Sequence, residues 1–166
     1  MASTYEPIAT TTLGTAASTI TFSSIPATYT DLRLTLVITG MSAGNRTGIQ
    51  FNGDTANNYS TTRLQGDGAT ASSTSNNTNP NIRITNANQG STSLQFITLD
   101  VFSYAGSTFK TALAELSNDA NGSGSVFRSV GLYRSTTAIS SLNIMLLSAG
   151  TMSIGTTATL YGIKNA

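Results

Sequence analysis

Histidine, cysteine and tryptophan are absent from this chain of 166 residues, and charged residues are scarce, with eight basic and seven acidic side chains. Histidine is the one side chain whose unperturbed pKa lies between about pH 5 and 8, so its absence excludes Ser-His-Asp hydrolysis in its standard form. The absence of cysteine excludes thiolate nucleophiles, disulfides and iron–sulfur clusters, and it leaves zinc without its preferred nitrogen and sulfur ligands. Only carboxylate chemistry and oxygen-ligated cations remain.

Charged and apolar residues are too dispersed for two further kinds of partner. The basic residues are scattered and the formal net charge is +1, so no basic stripe is available for phosphate groups. No apolar run approaches the roughly 18 to 20 residues that span a bilayer. The N-terminal segment has Glu6 and Pro7 where a secretory signal has a basic region and an apolar run. We therefore expect no nucleic-acid partner, no membrane partner and no signal peptide.

Apolar residues recur at intervals of two, with turn residues between the runs, which is the pattern of half-buried strands. The clearest run is Leu32, Leu34, Leu36 and Ile38. Similar short runs follow it to the C-terminus, with glycine-rich and asparagine-rich connections. The sequence therefore predicts an all-β chain with a single domain, residues 1–166, folded as an antiparallel β-sandwich of about eight to ten strands with a jelly-roll-like topology. A barrel of about eleven strands fits the strand number nearly as well.

Two segments lack this alternation. Residues 67–81 consist almost wholly of Ser, Thr, Asn, Ala and Gly, which predicts a long surface loop because nothing in them drives burial. Residues 112–116 contain the good helix formers Ala, Leu and Glu, but so short a stretch does not change the fold class.

Two later strands have their buried residues assigned from the same pattern. The first has the apolar set Leu94, Phe96, Leu99 and Val101, in which Ile97 indicates a bulge or burial on both faces. The second has the apolar set Val126, Val130 and Leu132.

The sharpest enzymatic interpretation of the carboxylates is a glycoside hydrolase, which needs two carboxyl groups about 5 to 9 Å apart. Asp100 and Glu115 are the candidate pair, because they lie on the two arms of a hairpin that turns near Gly106. The alternative is that Asp100 forms an ion pair with Lys110 or with a strand-edge arginine, and we favour it because perturbed carboxylates are often purely structural. We accordingly assign no catalytic residue and expect a protein that is not an enzyme.

Two loops carry oxygen ligands of the kind that calcium prefers. Residues 119–123, which begin with Asp119, resemble the start of a calcium loop but lack its closing bidentate glutamate. Asn52, Asp54 and Asp67 form a second weak cluster. Plain hairpin loops explain the same residues, so we assign no metal ligand and no cofactor.

Tyrosines are the candidate contact residues. Tyr29, Tyr59, Tyr104 and Tyr133 fall near predicted strand ends or turns, and Tyr5 lies in the N-terminal segment. Such rings could stack on sugars, contact a protein, or cover sheet edges while their hydroxyls stay in water. We take these five tyrosines as possible interface residues.

Segments along nearly the whole chain resemble a group of small virion proteins of tailed bacteriophages. The most specific are the Phe51-Asn-Gly-Asp54 turn and the closing Leu160-Tyr-Gly-Ile-Lys164 strand. The resemblance is carried by residues 20–26, 29–34, 51–54, 58–60, 64–68, 133–139 and 155–164. It implies a virion structural protein made in the host cytoplasm, of the kind described as head decoration, tail or tail-fibre components, and it transfers no catalytic residue.

The organisation of the sequence favours one of these locations in the virion. Fibres usually need a coiled coil or a repeat array for attachment, and this sequence has neither heptads nor repeats. We therefore expect a capsid decoration, or cement, protein that stabilises the head, with the major capsid protein as partner. We further expect a symmetric homo-oligomer, most simply a trimer, because self-association covers strand edges. The alternative is a tail-associated or fibre-associated module that binds tail proteins and contacts a host receptor or glycan.

Overall fold

A computed structural model describes residues 4–85 and 92–164, which form two antiparallel sheets packed as a sandwich. Their strands are β1 (Tyr5–Thr12), β2 (Thr19–Phe22), β3 (Asp31–Ile38), β4 (Thr47–Phe51), β5 (Tyr59–Gly66), β6 (Ala71–Asn79), β7 (Ile82–Arg83), β8 (Gln95–Phe102), β9 (Lys110–Asn118), β10 (Ser125–Tyr133), β11 (Leu142–Leu146) and β12 (Thr157–Ile163). A single 3₁₀ turn at Ala120–Gly122 joins β9 to β10. No helix in these residues is long and apolar enough to cross a membrane.

The two sheets differ in size. The larger one has eight strands in the order β1-β12-β3-β8-β9-β10-β5-β6, and the smaller has four in the order β2-β11-β4-β7. Strands β8, β9 and β10 follow one another as hairpins in the middle of the larger sheet, with continuous register. This central meander positions the surface described below.

The core lies between the sheets and follows the predicted alternation most closely in β3. Leu32, Leu34, Leu36 and Ile38 are fully buried, and the residues between them are half-buried on the opposite face. Complete burial of such side chains contributes about 1.5 to 3 kcal/mol each. The predictions of an all-β fold and of a β-sandwich are confirmed.

Twelve strands are present in the described residues, more than the alternation predicted, because some strands carry no apolar signal. The predicted loop at residues 67–81 was wrong, since residues 71–79 form β6 and pair with β5. Most β6 side chains are exposed, so backbone hydrogen bonding and not burial holds this strand on the sheet edge. Residues 112–116 are strand and not helix, because β9 is paired on both sides.

Strand β10 is in the opposite phase from the one assigned on the sequence. The assignment for β8 was half right, because Leu99 and Val101 are buried as assigned while Leu94 and Phe96 are exposed. Ile97, Leu99 and Val101 point inwards and Phe96 points outwards, with no bulge in the pairing of β8 to β3 or β9. In β10 the inward residues include Phe127 and Tyr133, while the sequence-assigned set, Val126, Val130 and Leu132, points outwards. Both strands therefore have apolar residues on their two faces.

Candidate functional site

The outer face of the eight-stranded sheet, which is turned away from the smaller sheet, carries an unusual number of apolar side chains. Leu64, Phe96, Val126 and Val130 are between 46% and 61% exposed, and Leu113 between them is half-buried. We call these five residues the apolar patch. Contiguous exposed apolar surface of this kind marks interaction sites on soluble proteins.

Strand register brings the apolar patch together from four strands. Phe96 of β8 lies opposite Ser117 of β9, which lies opposite Val126 of β10, which lies opposite Gly66 of β5. This row across the sheet therefore alternates large and small side chains. Val130 and Leu113 are likewise directly opposite each other four residues along the strands.

The alternation of size produces a groove of about 690 Å³ on the outer face. Phe96, Leu64 and Val126 stand at its sides, and Gly66 and Ser117 are among the residues at its floor. Apolar walls around a floor of small residues are suited to accept a protruding apolar side chain.

Two ion pairs lie on the same face, and the pair between β9 and β10 separates Leu113 and Val130 from Phe96 and Val126 within the apolar patch. Arg33 Nε is 3.4 Å from Asp100 Oδ1, and Arg128 Nη1 is 3.2 Å from Glu115 Oε1. Both pairs are partly exposed, so each contributes roughly 0 to 1 kcal/mol to folding. Burial raises the pKa of Asp100, with Arg33 acting against that rise and Glu115 adding to it. The face as a whole carries no net charge from these four groups.

The candidate hydrolase pair does lie on one face. Asp100 is opposite Leu113 in the register, and Glu115 is opposite Thr98, so the two carboxylates are diagonal neighbours on β8 and β9. Each is held by an arginine, and the partner of Asp100 is the strand arginine Arg33. An ion pair of this kind is the structural role that we favoured over catalysis.

The candidate calcium ligands have structural roles as well. Asn52 donates to Ala138 O and accepts from the backbone of Ser140, and Asp54 accepts from Asn58 Nδ2 and the backbone of Ala56. Asp67 accepts from the backbone of Thr70 and Ala69. Asp54 and Asp67 precede and follow β5, so its eight residues, about 26 Å of extended chain, separate them. In the described part of the chain, no three acidic side chains meet at a metal-like site.

Three of the five candidate interface tyrosines are in the core, which corrects the sequence interpretation. Tyr59, Tyr104 and Tyr133 are at most 3% exposed. The rings of Tyr59 and Tyr133 stack at 4.7 Å, and the Tyr59 hydroxyl accepts from Phe51 N and donates to Phe51 O. Tyr104 donates its hydroxyl hydrogen to Pro26 O. The buried hydroxyls of Tyr59 and Tyr104 have backbone partners and are structural, and all three tyrosines were misassigned because their polar ends were expected to reach water.

The remaining two tyrosines reach the surface near strands β1 and β12, at one edge of the larger sheet. Tyr5 is exposed on the edge strand β1, where its hydroxyl accepts from Arg33 Nη1 and its ring meets Tyr161 edge-on. Tyr29 is half-buried and packs beside Lys164, whose Nζ lies 5.4 Å from the ring centre. These two tyrosines remain candidate contact residues at the far side of the sheet.

A second depression, of about 1040 Å³, lies at the end of strands β8, β9 and β10. Loop residues including Asp67, Asn118 and Asp119 line it together with Leu94 and Val126. It therefore combines polar loop groups with apolar side chains next to the apolar patch.

Comparisons with known proteins include one distant structural likeness. No family model matches the chain, and no curated protein matches it in sequence. Among solved structures, the crystal structure of Caenorhabditis elegans galectin LEC-6 is similar, at 13% sequence identity and a TM-score of 0.39, over 91% of this chain and 94% of that one. The two chains share too little geometry for this likeness to bear on function.

The sequence interpretation missed the apolar patch. Its residues had been assigned to the core or left unassigned. When both faces of a strand carry apolar residues, the alternation does not show which face points inwards. The sequence had been interpreted in this sense for β8, where Ile97 next to Phe96 indicated a bulge or burial on both faces, and Val126 next to Phe127 gives the same signal in β10. Such a strand in an antiparallel sheet indicates a second buried surface.

Proposed function

We propose that this protein is a non-enzymatic structural component of a tailed-phage virion, and specifically a capsid decoration protein that stabilises the head. The observation that carries this proposal is the apolar patch, which suits the molecule to assembly with other proteins. The resemblance of the sequence to small virion proteins is the reason for proposing that the assembly is a phage particle.

Two further features support a structural role. Asp100 and Glu115, the best-spaced carboxylates for hydrolysis, are both engaged by arginines. The absence of cysteine removes the thiols that oxidise most readily in a particle outside the cell.

The proposal is tested on particles that lack the protein. Such particles should lose resistance to heat and osmotic shock, and addition of purified protein should restore it. A density map of restored particles should show many copies on the head. The variant Val130→Lys should restore resistance poorly because it places a charge in the apolar patch, whereas Ile154→Lys, at an exposed apolar residue outside the patch, should act like the wild type.

Particles that keep full resistance without the protein would contradict the decoration role. A map with only a few copies on the tail would instead favour the second candidate, a tail-associated module that contacts a receptor or glycan.

The depression at the ends of β8, β9 and β10 is the observation that favours this second candidate, because it offers polar and apolar groups together. It predicts that soluble protein blocks adsorption of phage to host cells and that Leu94→Asp weakens the block. Ile154→Asp, at an equally exposed apolar residue that does not line the depression, is the control.

A further inference from the structure

We propose that the outer face of the eight-stranded sheet binds the same face of a second copy, around a two-fold axis that runs parallel to the strands between β9 and β10. The inference deepens the proposed function and rests on the apolar patch being an assembly surface, and it replaces the trimer expected from the sequence with a dimer. It does not depend on where in a particle the protein is located.

Such an axis places each row of cross-strand neighbours over the same row of the second copy, with the order of the strands reversed. It therefore places β9 over β10 of the second copy, β8 over β5, and β3 over β6. In the row of alternating sizes, Phe96 then lies over Gly66 of the second copy, and Val126 over Ser117. Each large side chain meets a small one, so the groove of one copy receives the phenyl ring of the other.

The charges match under the same rotation. Glu115 and Arg128 are directly opposite each other on β9 and β10, so each lies over the oppositely charged residue of the second copy. The Glu115–Arg128 ion pairs of the two copies together form a square of four alternating charges. The other ion pair of each copy, Arg33 and Asp100, faces hydroxyl side chains of β6 and β5 of the second copy. Charge complementarity of this kind fixes the register of an interface.

The next row supplies apolar contact at the axis. Leu113 and Val130 are opposite neighbours, and the rotation places each of them over the other residue of the second copy. Moving the axis by one strand, to between β8 and β9, would instead set Asp100 over Leu113 and Arg33 over Val130. That arrangement would cover the Arg33–Asp100 ion pair with apolar side chains and give it no polar partner in the second copy, which is unfavourable.

The overlap is large enough for a stable dimer. Six strands of eight or nine residues lie beneath it, namely β3, β8, β9, β10, β5 and β6. At normal strand spacing they cover about 29 Å by about 27 Å, or about 780 Å² per copy. A standard specific interface buries about 800 Å² per partner.

Charge reversal tests this geometry by sedimentation equilibrium of the whole chain. The wild type should be a dimer, and Glu115→Arg and Arg128→Glu should each dissociate about 100-fold more readily, because like charges then face each other. An equimolar mixture of the two variants should form a heterodimer, since one copy then presents two positive groups to the two negative groups of the other.

Matched controls lie on strands outside the overlap. Glu6 and Lys164 form a comparable surface ion pair between β1 and the end of β12, so Glu6→Arg and Lys164→Glu should leave the dimer unchanged. Thermal unfolding of every variant checks that the fold is intact.

A wild type that is monomeric or trimeric at about 100 µM would overturn the two-fold pairing, as would a dimer that survives both reversals or a mixture that stays monomeric. Restoration of particle resistance is measured separately. A monomer that still stabilises particles would therefore reject the pairing and leave the proposed function standing.

Discussion

The Tyr59 hydroxyl is hydrogen-bonded to the backbone of the last residue of β4, which is why this residue is structural. It accepts a hydrogen bond from Phe51 N at 3.0 Å and donates to Phe51 O at 3.1 Å. Tyr59→Phe removes this hydroxyl and leaves a buried N–H without a partner. We expect the free energy of unfolding in urea to fall by about 1 to 3 kcal/mol.

Tyr5→Phe is the control for Tyr59→Phe, because its hydroxyl is at the surface, where water replaces the bond from Arg33. It should change stability by less than about 0.5 kcal/mol. Equal losses in the two variants would contradict the buried role of Tyr59.

Gly131 marks the closest approach of the two sheets on β10. A methyl group there would lie 2.7 Å from the side chain of Ile82 on β7, whereas at Gly14 it would meet nothing within 4 Å. Gly131→Ala should therefore lower the free energy of unfolding by about 1 to 3 kcal/mol through overpacking. Gly14→Ala should leave it unchanged within about 0.5 kcal/mol, and the two denaturant midpoints provide the comparison.

At the scale of elements, the two edges of the larger sheet are protected differently. Strand β1 carries Glu6 and Pro7 and has an irregular register with β12. Strand β6 has neither charge nor proline, and its side chains are small and, apart from Ala71, polar, so they offer little apolar surface to another chain. Charged residues and proline commonly prevent an edge strand from pairing with another chain. Of the two edges, β6 is the one that is protected from such pairing by its polarity alone.

Hydrogen exchange should separate the edge from the centre. Amides of β8 and β9, paired on both sides, should exchange only on global unfolding, and those of β6 should exchange at least about 100-fold faster because local opening suffices. Protection of β6 equal to that of β9 would show that this edge is covered by another chain.

For the whole molecule, the absence of histidine defines the pH dependence of stability. Burial raises the pKa of Tyr59, Tyr104 and Tyr133. A raised pKa in the folded state means that their contribution is complete below about pH 10, the ordinary value, and is lost as pH rises through the folded values.

Acidic groups act at the other end of the pH scale. The side-chain hydrogen bond from Asn58 lowers the pKa of Asp54, and the backbone of Thr70 lowers that of Asp67. Their stabilisation is present above the ordinary value near pH 3.8 and is lost as pH falls below it.

We therefore expect urea midpoints that are flat between about pH 6 and 7, decline in acid and decline again above about pH 10. A midpoint that changes steeply near neutral pH would contradict this assignment. Absorbance of tyrosinate in the same samples reports whether the alkaline loss follows ionisation of the buried rings.

The sequence by itself determined the fold class and the chemistry that is excluded. Alternation in β3 was sufficient because the residues on one face are leucine and isoleucine and those on the other are mostly polar, so only one face is favourably buried. The absence of histidine and cysteine required no structure to interpret. Strand β6 was not predictable in this way, because its backbone pairing leaves no apolar pattern.

The candidate site was decided only by the tertiary structure. Strands β8 and β10 have apolar residues in both phases, and which phase is buried depends on the strands beside them and on the sheet that covers them. Tyr59 and Tyr133 were misassigned for another reason, since their hydroxyls were expected to reach water, whereas their rings fill the core because β4, β5 and β10 meet there. Long-range packing determines which residues of these strands face the core, and the apolar residues that remain on the outer face form the apolar patch.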